Sequence, residues 1–364
     1  MNLSLTFILG TRPELIKLSP LLRACAKHSL PYTLIHTGQH YSPELNEQIF
    51  ADLILPAPDY NLHIGSCPQG EQTGRMLCGL EPILQKENPS VVITLGDPNS
   101  AFAGTLAAAK LHIPTIHLEA GRRSGNRNMS EELNRLMIDQ IADYLFTPNE
   151  TTKANLLNAG IPENRIFVSG DPIVDAVAEN KEIARQKSPI LTELNLKPGN
   201  YFLATLHRPE NVDCKERLTE ILTAFKQLAQ IYNYPFVFAV HPKTEHRIRE
   251  FGLSTEGILT TKPLGYLDFL RLEMDCTALL TDSGSLQEEA CILKTPCVTL
   301  RDETERPETI AIGANILVGA DKEKILLGVE KMIKKKRDWK HPFGAEHTTD
   351  SILTTIIHLC EEKS

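Results

Sequence analysis

The chain has 364 residues, of which 41% are hydrophobic and 23% are charged. A length of this size suggests about two domains, and the composition is that of a soluble globular protein. The formal net charge of −8 argues against a surface that binds nucleic acid through its phosphates. An anionic ligand would therefore need cations placed locally.

The cysteines show no spacing typical of a disulfide framework or a zinc site. None of them forms a C-x-x-C pair, and several lie within apolar runs, which favours reduced thiols in the core of a cytoplasmic protein. Residues 1–9 are apolar but lack the basic beginning of a signal peptide, and no apolar run is long enough to span a membrane. The cysteines are Cys25, Cys67, Cys78, Cys214, Cys276, Cys291, Cys297 and Cys360.

Short apolar runs alternate with helical patterns in the first half of the chain. Because strands that alternate with helices form parallel sheets, this half is predicted to be a parallel α/β unit. Its functional groups should lie where the strands end, at the carboxyl edge of the sheet. The predicted strands cover residues 5–9, 32–36, 91–95, 115–118, 144–148 and 165–170, and helices are predicted after residues 12, 100 and 129.

Polar side chains stand just after four of these predicted strands, at Arg12, Gln39, Asp97 and Glu119. Any one of them could be an ordinary loop residue, but four in successive loops indicate a functional edge. Residues 10–14, with the sequence GTRPE, do not match the G-x-G-x-x-G fingerprint, which disfavours a nicotinamide cofactor.

Two charged residues on predicted helices each allow two interpretations. Lys17 lies one turn into the first helix and could face the same edge as Arg12 or belong to a solvated helix face. Glu131 lies in the first turn of the helix that begins at Ser130, where a carboxylate suits the helix dipole. It could equally point into a cleft as a functional group.

The second half repeats the architecture without repeating the sequence. A hinge is predicted at residues 170–172, and the two α/β units are expected to face each other across a central cleft that holds the active groups. The predicted strands are 201–206, 236–240, 258–260, 277–281, 297–300 and 315–318. The predicted helices are 173–186, 214–231, 267–273, 287–293 and the terminal 351–361.

One turn in this half has the composition of an anion site. Residues 281–289, with the sequence TDSGSLQEE, join a predicted strand to a helix. Small residues such as Ser283 and Gly284 let backbone N–H groups approach a phosphate at a helix N-terminus. The alternative is an ordinary turn with a serine cap. His207, at the end of another strand, is either a ligand contact or a surface histidine.

These motifs together resemble the UDP-N-acetylglucosamine 2-epimerases, in order and over nearly the whole chain. The resemblance implies a GT-B fold with two Rossmann-like domains. It assigns residues 1–168 and a C-terminal helix at about 348–364 to the first domain, and residues 169–347 to a UDP-binding domain. The matching motifs are residues 10–14 with Lys17, 96–97, 119–121, 131–135, 207–208, 281–289 and 301–307.

The resemblance also implies a reaction that inverts C2 of UDP-GlcNAc to give UDP-ManNAc. The C2 proton is not acidic, so the family eliminates UDP to a bound 2-acetamidoglucal and then adds it back. This chemistry needs a base, an acid and cations for the departing diphosphate. By resemblance, Asp97, Glu119 and Glu131 move the protons, and packed carboxylates can raise one pKa. Which carboxylate moves which proton stays open.

The other site residues are assigned by the same resemblance. His207 contacts the diphosphate or assists its departure, Lys17 lies near the reacting sugar, and Glu289 binds the ribose hydroxyls. The resemblance implies no metal and no cofactor, a homodimer, no membrane or nucleic-acid partner, and a cytoplasmic role in polysaccharide biosynthesis. The remaining substrate- and UDP-binding residues are Arg12, Arg135, Ser283, Gly284, Ser285 and Arg306.

The departures from the family pattern leave alternatives open. Ser42 stands where a second glutamine would complete an allosteric UDP-GlcNAc site, so that regulation is not expected. The loop after Glu119 is short and carries Arg122, Arg123 and Arg127, which could bind the carboxylate of a UDP-2,3-diacetamido-glucuronate. Further alternatives are a hydrolysing epimerase that releases ManNAc and UDP, a GT-B glycosyltransferase and a silent sugar-nucleotide sensor.

Overall fold

The computed structural model describes residues 3–39 and 43–362. The chain forms two compact units. Unit 1 consists of Met1–Ala178 with Phe343–Ser364, and unit 2 consists of Glu179–Pro342. Each unit has its own parallel sheet with helices between the strands, so the predicted α/β class with two parallel sheets is confirmed.

Unit 1 has a seven-stranded sheet in the order β3-β2-β1-β4-β5-β6-β7. Its elements are β1 (Leu5–Leu9), α1 (Arg12–Lys27), β2 (Tyr32–His36), α2 (Pro43–Asp52), β3 (Tyr60–Asn61), α3 (Gln69–Glu87), β4 (Val91–Leu95), α4 (Asn99–Lys110), β5 (Thr115–Leu118), α5 (Ser130–Ile141), β6 (Tyr144–Thr147), α6 (Glu150–Asn158), β7 (Ile166–Val168) and the start of α7 (Ile173–Lys187).

Unit 2 has a six-stranded sheet in the order β10-β9-β8-β11-β12-β13. Its elements are α8 (Ile190–Glu193), β8 (Phe202–Thr205), α9 (Pro209–Val212), α10 (Lys215–Tyr232), β9 (Phe236–Ala239), α11 (Pro242–Glu250), β10 (Leu259–Thr261), α12 (Tyr266–Asp275), β11 (Ala278–Thr281), α13 (Gly284–Leu293), β12 (Cys297–Thr299), α14 (Pro307–Ala311), β13 (Asn315–Leu317) and α15 (Lys322–Ile333). The last helix, α16 (Thr348–Glu362), packs on α1 in unit 1.

The residues that follow β7 are tied into unit 1 by hydrogen bonds. The Asp171 amide donates to the Phe343 carbonyl at 2.8 Å. The Asp175 carboxylate accepts from the amides of His347 and Thr349 at 2.8 and 2.7 Å. The division between the units therefore comes after Ala178. The domain boundary expected from the sequence lies ten residues earlier, after residue 168.

Strand order decides which loops become neighbours at the carboxyl edges. In unit 1, β1 pairs with both β2 and β4, which come from different parts of the chain. In unit 2, β8 pairs with β11, with Thr205 opposite Thr281. The order of the strands reverses between β1 and β4 in unit 1 and between β8 and β11 in unit 2. Ligands of open α/β sheets bind at this switch point.

The strands lie in apolar cores on both faces of each sheet, as parallel sheets require. In unit 1, Ile8, Ile35 and Val92 pack with apolar residues of α3 and α4. All eight cysteines are free thiols, but only four of them are buried, so half of the cysteines lie in the core where most were expected to. Among the described residues, no helix has both the length and the apolar character needed to cross a bilayer.

Replacing Gly121 by Ala is expected to destabilise unit 1 by about 2–4 kcal/mol, because it combines left-handed strain with overpacking. Gly121 has a φ of +80°, and a Cβ there would lie 2.2 Å from the Thr152 carbonyl oxygen. Gly160 has the same φ of +80° but no atom within 4 Å of its Cβ position, so Gly160→Ala supplies the matched control. Urea denaturation followed by circular dichroism measures both variants, and equal losses of stability would contradict the clash.

Candidate functional site

The turn after β1 is held by a buried carboxylate, Glu14. Its Oε2 accepts hydrogen bonds from the amides of Gly10 and Thr11 at 2.9 and 2.8 Å and from the Thr11 hydroxyl at 2.8 Å. The Ser100 hydroxyl, at the start of α4, donates to the same carboxylate at 2.9 Å. Glu14 thus joins the loops after β1 and β4 and fixes the backbone just before Arg12.

Burial raises the pKa of Glu14 from 4.5 to about 7, against the opposing effect of the hydrogen bonds from Gly10, Thr11 and Ser100. Between these pH values the unfolded chain has released this proton and the folded chain still holds it, so rising pH favours unfolding. The stability of the wild type relative to Glu14→Gln is therefore expected to fall between pH 4.5 and 7. Urea denaturation at several pH values measures this difference, and a pH-independent difference would contradict the assignment.

Glu119 lies directly after β5 in a strained conformation and is bound by two cations. Its φ is +65°, which is unusual for a residue other than glycine and typical of functional positions. Its Oε1 accepts a hydrogen bond from Lys17 Nζ, and both side chains are almost completely buried. Arg122 Nε lies 3.5 Å from Glu119 Oε2, and its Nη2 lies 2.6 Å from Asp171 Oδ2. These two carboxylates hold the Arg122 guanidinium between them.

Asp97, after β4, is paired with Arg135 of α5. Arg135 Nε donates to Asp97 Oδ2 at 2.9 Å, and Arg135 Nη1 donates to Glu132 at 2.8 Å. Burial acts to raise the pKa of Glu132, but hydrogen bonds from Ser124 and Arg135 outweigh it and the pKa is lowered. Glu132 therefore stays ionised and fixes Arg135 beside Asp97.

The predicted carboxylates lie at one edge of unit 1, but the structure gives two of them cationic neighbours. Asp97 is next to Arg135, and Glu119 is next to Lys17. Glu131, in the first turn of α5, accepts from the Ser130 hydroxyl at 3.1 Å. The structure thus places a cation beside Asp97 and beside Glu119, instead of the packed group of like charges that was expected.

The loop after β5 uses two of its arginines internally. Arg122 is bound by Glu119 and Asp171, and Arg123 lies 2.7 Å from Asp139. Burial acts to raise the pKa of Asp139, yet His117 and Arg123 outweigh it and keep that pKa below its ordinary value. Arg127 is exposed. Two of the three arginines that were candidates for binding a uronate are therefore already bound by carboxylates of the protein itself.

Gln39 has a structural partner, because its Oε1 accepts from the Ser100 amide at 3.1 Å at the start of α4. Ser42, on which the expectation about allosteric regulation depends, lies outside the described residues. Arg12 is half-buried at the first position of α1. The predicted residues Arg12, Gln39, Asp97 and Glu119 therefore share the carboxyl edge of the sheet in unit 1.

At the edge of unit 2, His207 is bound by Asp282. His207 Nδ1 lies 2.9 Å from Asp282 Oδ1, and the aspartate is fully buried. The amides of His207 and Arg208 donate to the same carboxylate at 3.0–3.1 Å. Burial acts to raise the pKa of Asp282, but His207 and these hydrogen bonds lower it below its ordinary value. Asp282 is therefore an anion.

The predicted anion turn begins a helix earlier than expected, at Gly284 rather than Gln287. Ser283 is the N-cap residue, but its side chain makes no capping hydrogen bond within the described part of the chain, so the simple serine-cap interpretation is wrong. A Cβ on Gly284 would lie 3.4 Å from Arg306 Cζ. The guanidinium therefore lies against the first turn of α13.

Arg306 is oriented by Glu288, whose Oε1 accepts from Arg306 Nε at 3.0 Å. Ser285 is half-buried in the first turn of the same helix, and Glu289 is buried in the second turn. The N-terminus of α13 and a buried guanidinium therefore lie together, and both favour an anion.

Several buried acids of the sites have no counterpart in the sequence-based assignments. Glu132, Asp282 and Glu288 each bind a residue that was assigned. Glu14 holds the turn just before the assigned Arg12, and a fifth acid, Glu273, lies near Glu289. Burial, with the charge of Glu289 nearby, holds the pKa of Glu273 well above its ordinary value. All five acids lie within the motifs or the predicted helices, but the sequence does not show which residues they bind.

A family model described as UDP-N-acetylglucosamine 2-epimerase matches residues 23–357. The chain is 50% identical over 363 residues to the UDP-N-acetylglucosamine 2-epimerase of Methanocaldococcus jannaschii, covering 98% of this chain and 99% of the relative. It is 42% identical over 322 residues to the UDP-2,3-diacetamido-2,3-dideoxy-D-glucuronate 2-epimerase of Pseudomonas aeruginosa, covering 88% and 89%.

A crystal structure of the Methanocaldococcus jannaschii UDP-GlcNAc 2-epimerase in complex with UDP-GlcNAc and UDP matches the fold with a TM-score of 0.92. Its sequence is 50% identical, and the match covers 98% of this chain and 100% of that chain. The resemblance that the motifs indicated is thus confirmed, and the two-sheet architecture is a GT-B-like fold.

Proposed function

Because the chain belongs to the UDP-N-acetylglucosamine 2-epimerase family, we propose that it interconverts UDP-GlcNAc and UDP-ManNAc. The proposed route removes the C2 proton while the C1–O bond to UDP breaks, which gives a bound 2-acetamidoglucal. A proton then returns to the other face of C2 as UDP adds back to C1. The enzyme class is therefore an isomerase.

The observation that carries this proposal is the anion site at α13. Arg306 lies against the first turn of that helix at Gly284, and His207 is bound to Asp282, two residues before Gly284. Departure of UDP from C1 places negative charge on the diphosphate, which these groups are suited to stabilise. Ser283 and Ser285 add hydroxyl groups, and Glu289 is assigned to the ribose hydroxyls.

The proton chemistry is assigned to Asp97, Glu119 and Glu131 of unit 1. Lys17 lies against Glu119 and Arg135 lies against Asp97, so each of these two carboxylates is held in place for the transfer of the C2 proton. Arg12 is assigned to phosphate, and Lys17 is assigned to a position near the reacting sugar. The relation between these residues and the sugar is proposed from the family and from their shared edge in unit 1.

The diacetamido-glucuronate epimerase is the second candidate, since a relative of that name is 42% identical. The sugar of that enzyme's substrate carries an extra carboxylate, which would need a cation that is not already paired with an acid of the protein. Arg122 and Arg123 are bound by Glu119, Asp171 and Asp139, so Arg127 is the remaining candidate of the three arginines. UDP-GlcNAc is favoured as the substrate because the relative named for it is more similar, at 50% identity.

The test is to incubate the protein with UDP-GlcNAc in deuterated water and follow the products by NMR. UDP-ManNAc with deuterium at C2 is the expected result. Free ManNAc and UDP would identify a hydrolysing enzyme, and a reaction only with the diacetamido-uronate would identify the second candidate. No exchange with either sugar would contradict an epimerase altogether.

We also propose that the protein acts as a homodimer in the cytoplasm, in the supply of an activated sugar for polysaccharide synthesis. The support for this is the family resemblance. Sedimentation equilibrium tests the assembly, since a dimer would have twice the 40.6 kDa mass of the chain. A single species at the chain mass would contradict it.

A further inference from the structure

The hydrogen bonds of Asp282 leave its carboxylate facing donors on every side. Its Oδ2 lies 3.1 Å from the His207 amide, 3.0 Å from the Arg208 amide and 3.3 Å from Asn211 Nδ2. Its Oδ1 lies 3.1 Å from the His207 amide and 2.9 Å from the His207 ring nitrogen Nδ1. A carboxylate surrounded in this way is an acceptor only, so the ring must present Nδ1–H to it.

This contact fixes which nitrogen of His207 is left for a ligand. With Nδ1 turned to Asp282, Nε2 is the nitrogen on the exposed side of a ring whose side chain is 38% exposed. Asp282 also directly precedes Ser283, the N-cap of α13. One carboxylate therefore links the imidazole to the helix N-terminus that forms the anion site.

Asn211 anchors the carboxylate from the other side. Its Nδ2 donates to the Leu300 carbonyl at 2.7 Å in addition to Asp282, and its Oδ1 accepts from Arg217 Nε at 3.1 Å. Asn211 and Asp282 are both fully buried. The carboxylate is therefore held by packing and cannot turn away from the histidine.

We propose that Asp282 is a positioning residue that holds the His207 ring with Nδ1–H toward its carboxylate, so that Nε2 faces the departing diphosphate. This inference rests on the proposed function for the identity of the ligand. With Nδ1–H held by the carboxylate, Nε2 is the ring nitrogen that can exchange a proton with the leaving group.

Asp282→Asn is expected to reverse the ring tautomer. The Oδ2 position faces three donors, so the amide oxygen of asparagine takes that place and its NH₂ group faces Nδ1. The ring then accepts at Nδ1 and carries its proton on Nε2. It can still donate one hydrogen bond from Nε2, but Nδ1 no longer carries the proton that the Asp282 carboxylate holds in the wild type.

The first experiment is NMR of the full chain labelled with ¹⁵N-histidine and saturated with UDP, with His207 assigned from the signals lost in His207→Gln. The wild type is expected to show a protonated Nδ1, and Asp282→Asn is expected to show protonation at Nε2 only. A wild-type His207 protonated only at Nε2 would overturn the proposal. This readout does not depend on turnover, so it remains decisive if the enzyme uses another sugar.

The second experiment is a double-mutant cycle on UDP-GlcNAc epimerisation. Asp282→Asn and His207→Gln are each expected to lower kcat roughly 10²-fold, with a smaller effect on UDP affinity. In the His207→Gln background, Asp282→Asn is expected to change kcat by less than about 3-fold, because residues that act as a unit are not additive. Losses that multiply in the double variant would show an independent structural role and overturn the proposal.

Asp321→Asn is the matched control for the change of carboxylate to amide. Asp321 caps α15 in the same unit by accepting from the Lys324 amide at 2.8 Å, and asparagine caps helices as well as aspartate does. This variant should keep wild-type kcat. Inactivity of the wild type itself would contradict the proposed function and not the ring assignment.

Discussion

Asp97→Asn is expected to lower deuterium incorporation at C2 by roughly 10²–10⁴-fold, which is the range that a general acid or base contributes. The substitution keeps the shape of the side chain and an oxygen for Arg135, which also remains bound by Glu132 at 2.8 Å. UDP affinity should therefore change by less than about 3-fold, since the lost group acts on the proton and not on the nucleotide. NMR of C2 exchange and calorimetric titration with UDP measure the two effects.

Asp143→Asn is the control for this experiment. Asp143 is in the same unit but accepts from the amide and hydroxyl of Thr115 at the start of β5, at the opposite end of the strand from Glu119. It should retain C2 exchange. Glu131→Gln is expected to lose exchange as Asp97→Asn does, and full turnover in both of these variants would remove the proposed proton chemistry.

Lys17→Met is expected to destabilise unit 1 by about 3–5 kcal/mol, because breaking a buried ion pair leaves its partner charged and uncompensated. The side chains of Lys17 and Glu119 are 3% and 4% exposed. Arg122 Nε lies 3.5 Å from Glu119 Oε2 and still neutralises part of its charge, so the loss of stability should be toward the lower end of this range. Epimerisation should also be lost, since Lys17 is assigned to the reacting sugar.

The double variant Lys17→Met with Glu119→Gln separates the two effects. It removes both charges, so it is expected to recover most of the stability while turnover stays absent. Urea denaturation measures stability and the C2 exchange assay measures turnover for Lys17→Met, for Glu119→Gln and for the double variant. A double variant as unstable as the sum of the single ones would show that the pair is not coupled.

Local patterns were sufficient for most strands. The strands at residues 5–9, 32–36, 91–95 and 115–118 are short runs buried on both faces, and their observed bounds match the prediction. Helix α3 was missed, because Gly70, Gly74, Gly79 and Pro82 weaken its helical signal. It forms because Met76, Leu80 and Leu84 are buried against the sheet, and that support comes from residues remote in sequence.

The partners of the site residues could not be predicted in the same way. Lys17 and Glu119 are 102 positions apart, and His207 and Asp282 are 75 apart. Nothing in the local sequence of Asp282 distinguishes a carboxylate that binds a histidine from one that caps a turn. The pairing follows from the strand order, which places β8 beside β11 and Thr205 opposite Thr281.

The sequence by itself determined that the chain alternates strands and helices twice, that small residues and arginines mark an anion turn, and that carboxylates end successive strands. Those features depend on side-chain period, turn chemistry and motif order, all of which are local. Only the tertiary structure decided which acids are held by which cations and that Arg122 and Arg123 are occupied internally. Those facts depend on the order in which the strands pair and the helices pack, and that order is set by contacts between segments that no local pattern connects.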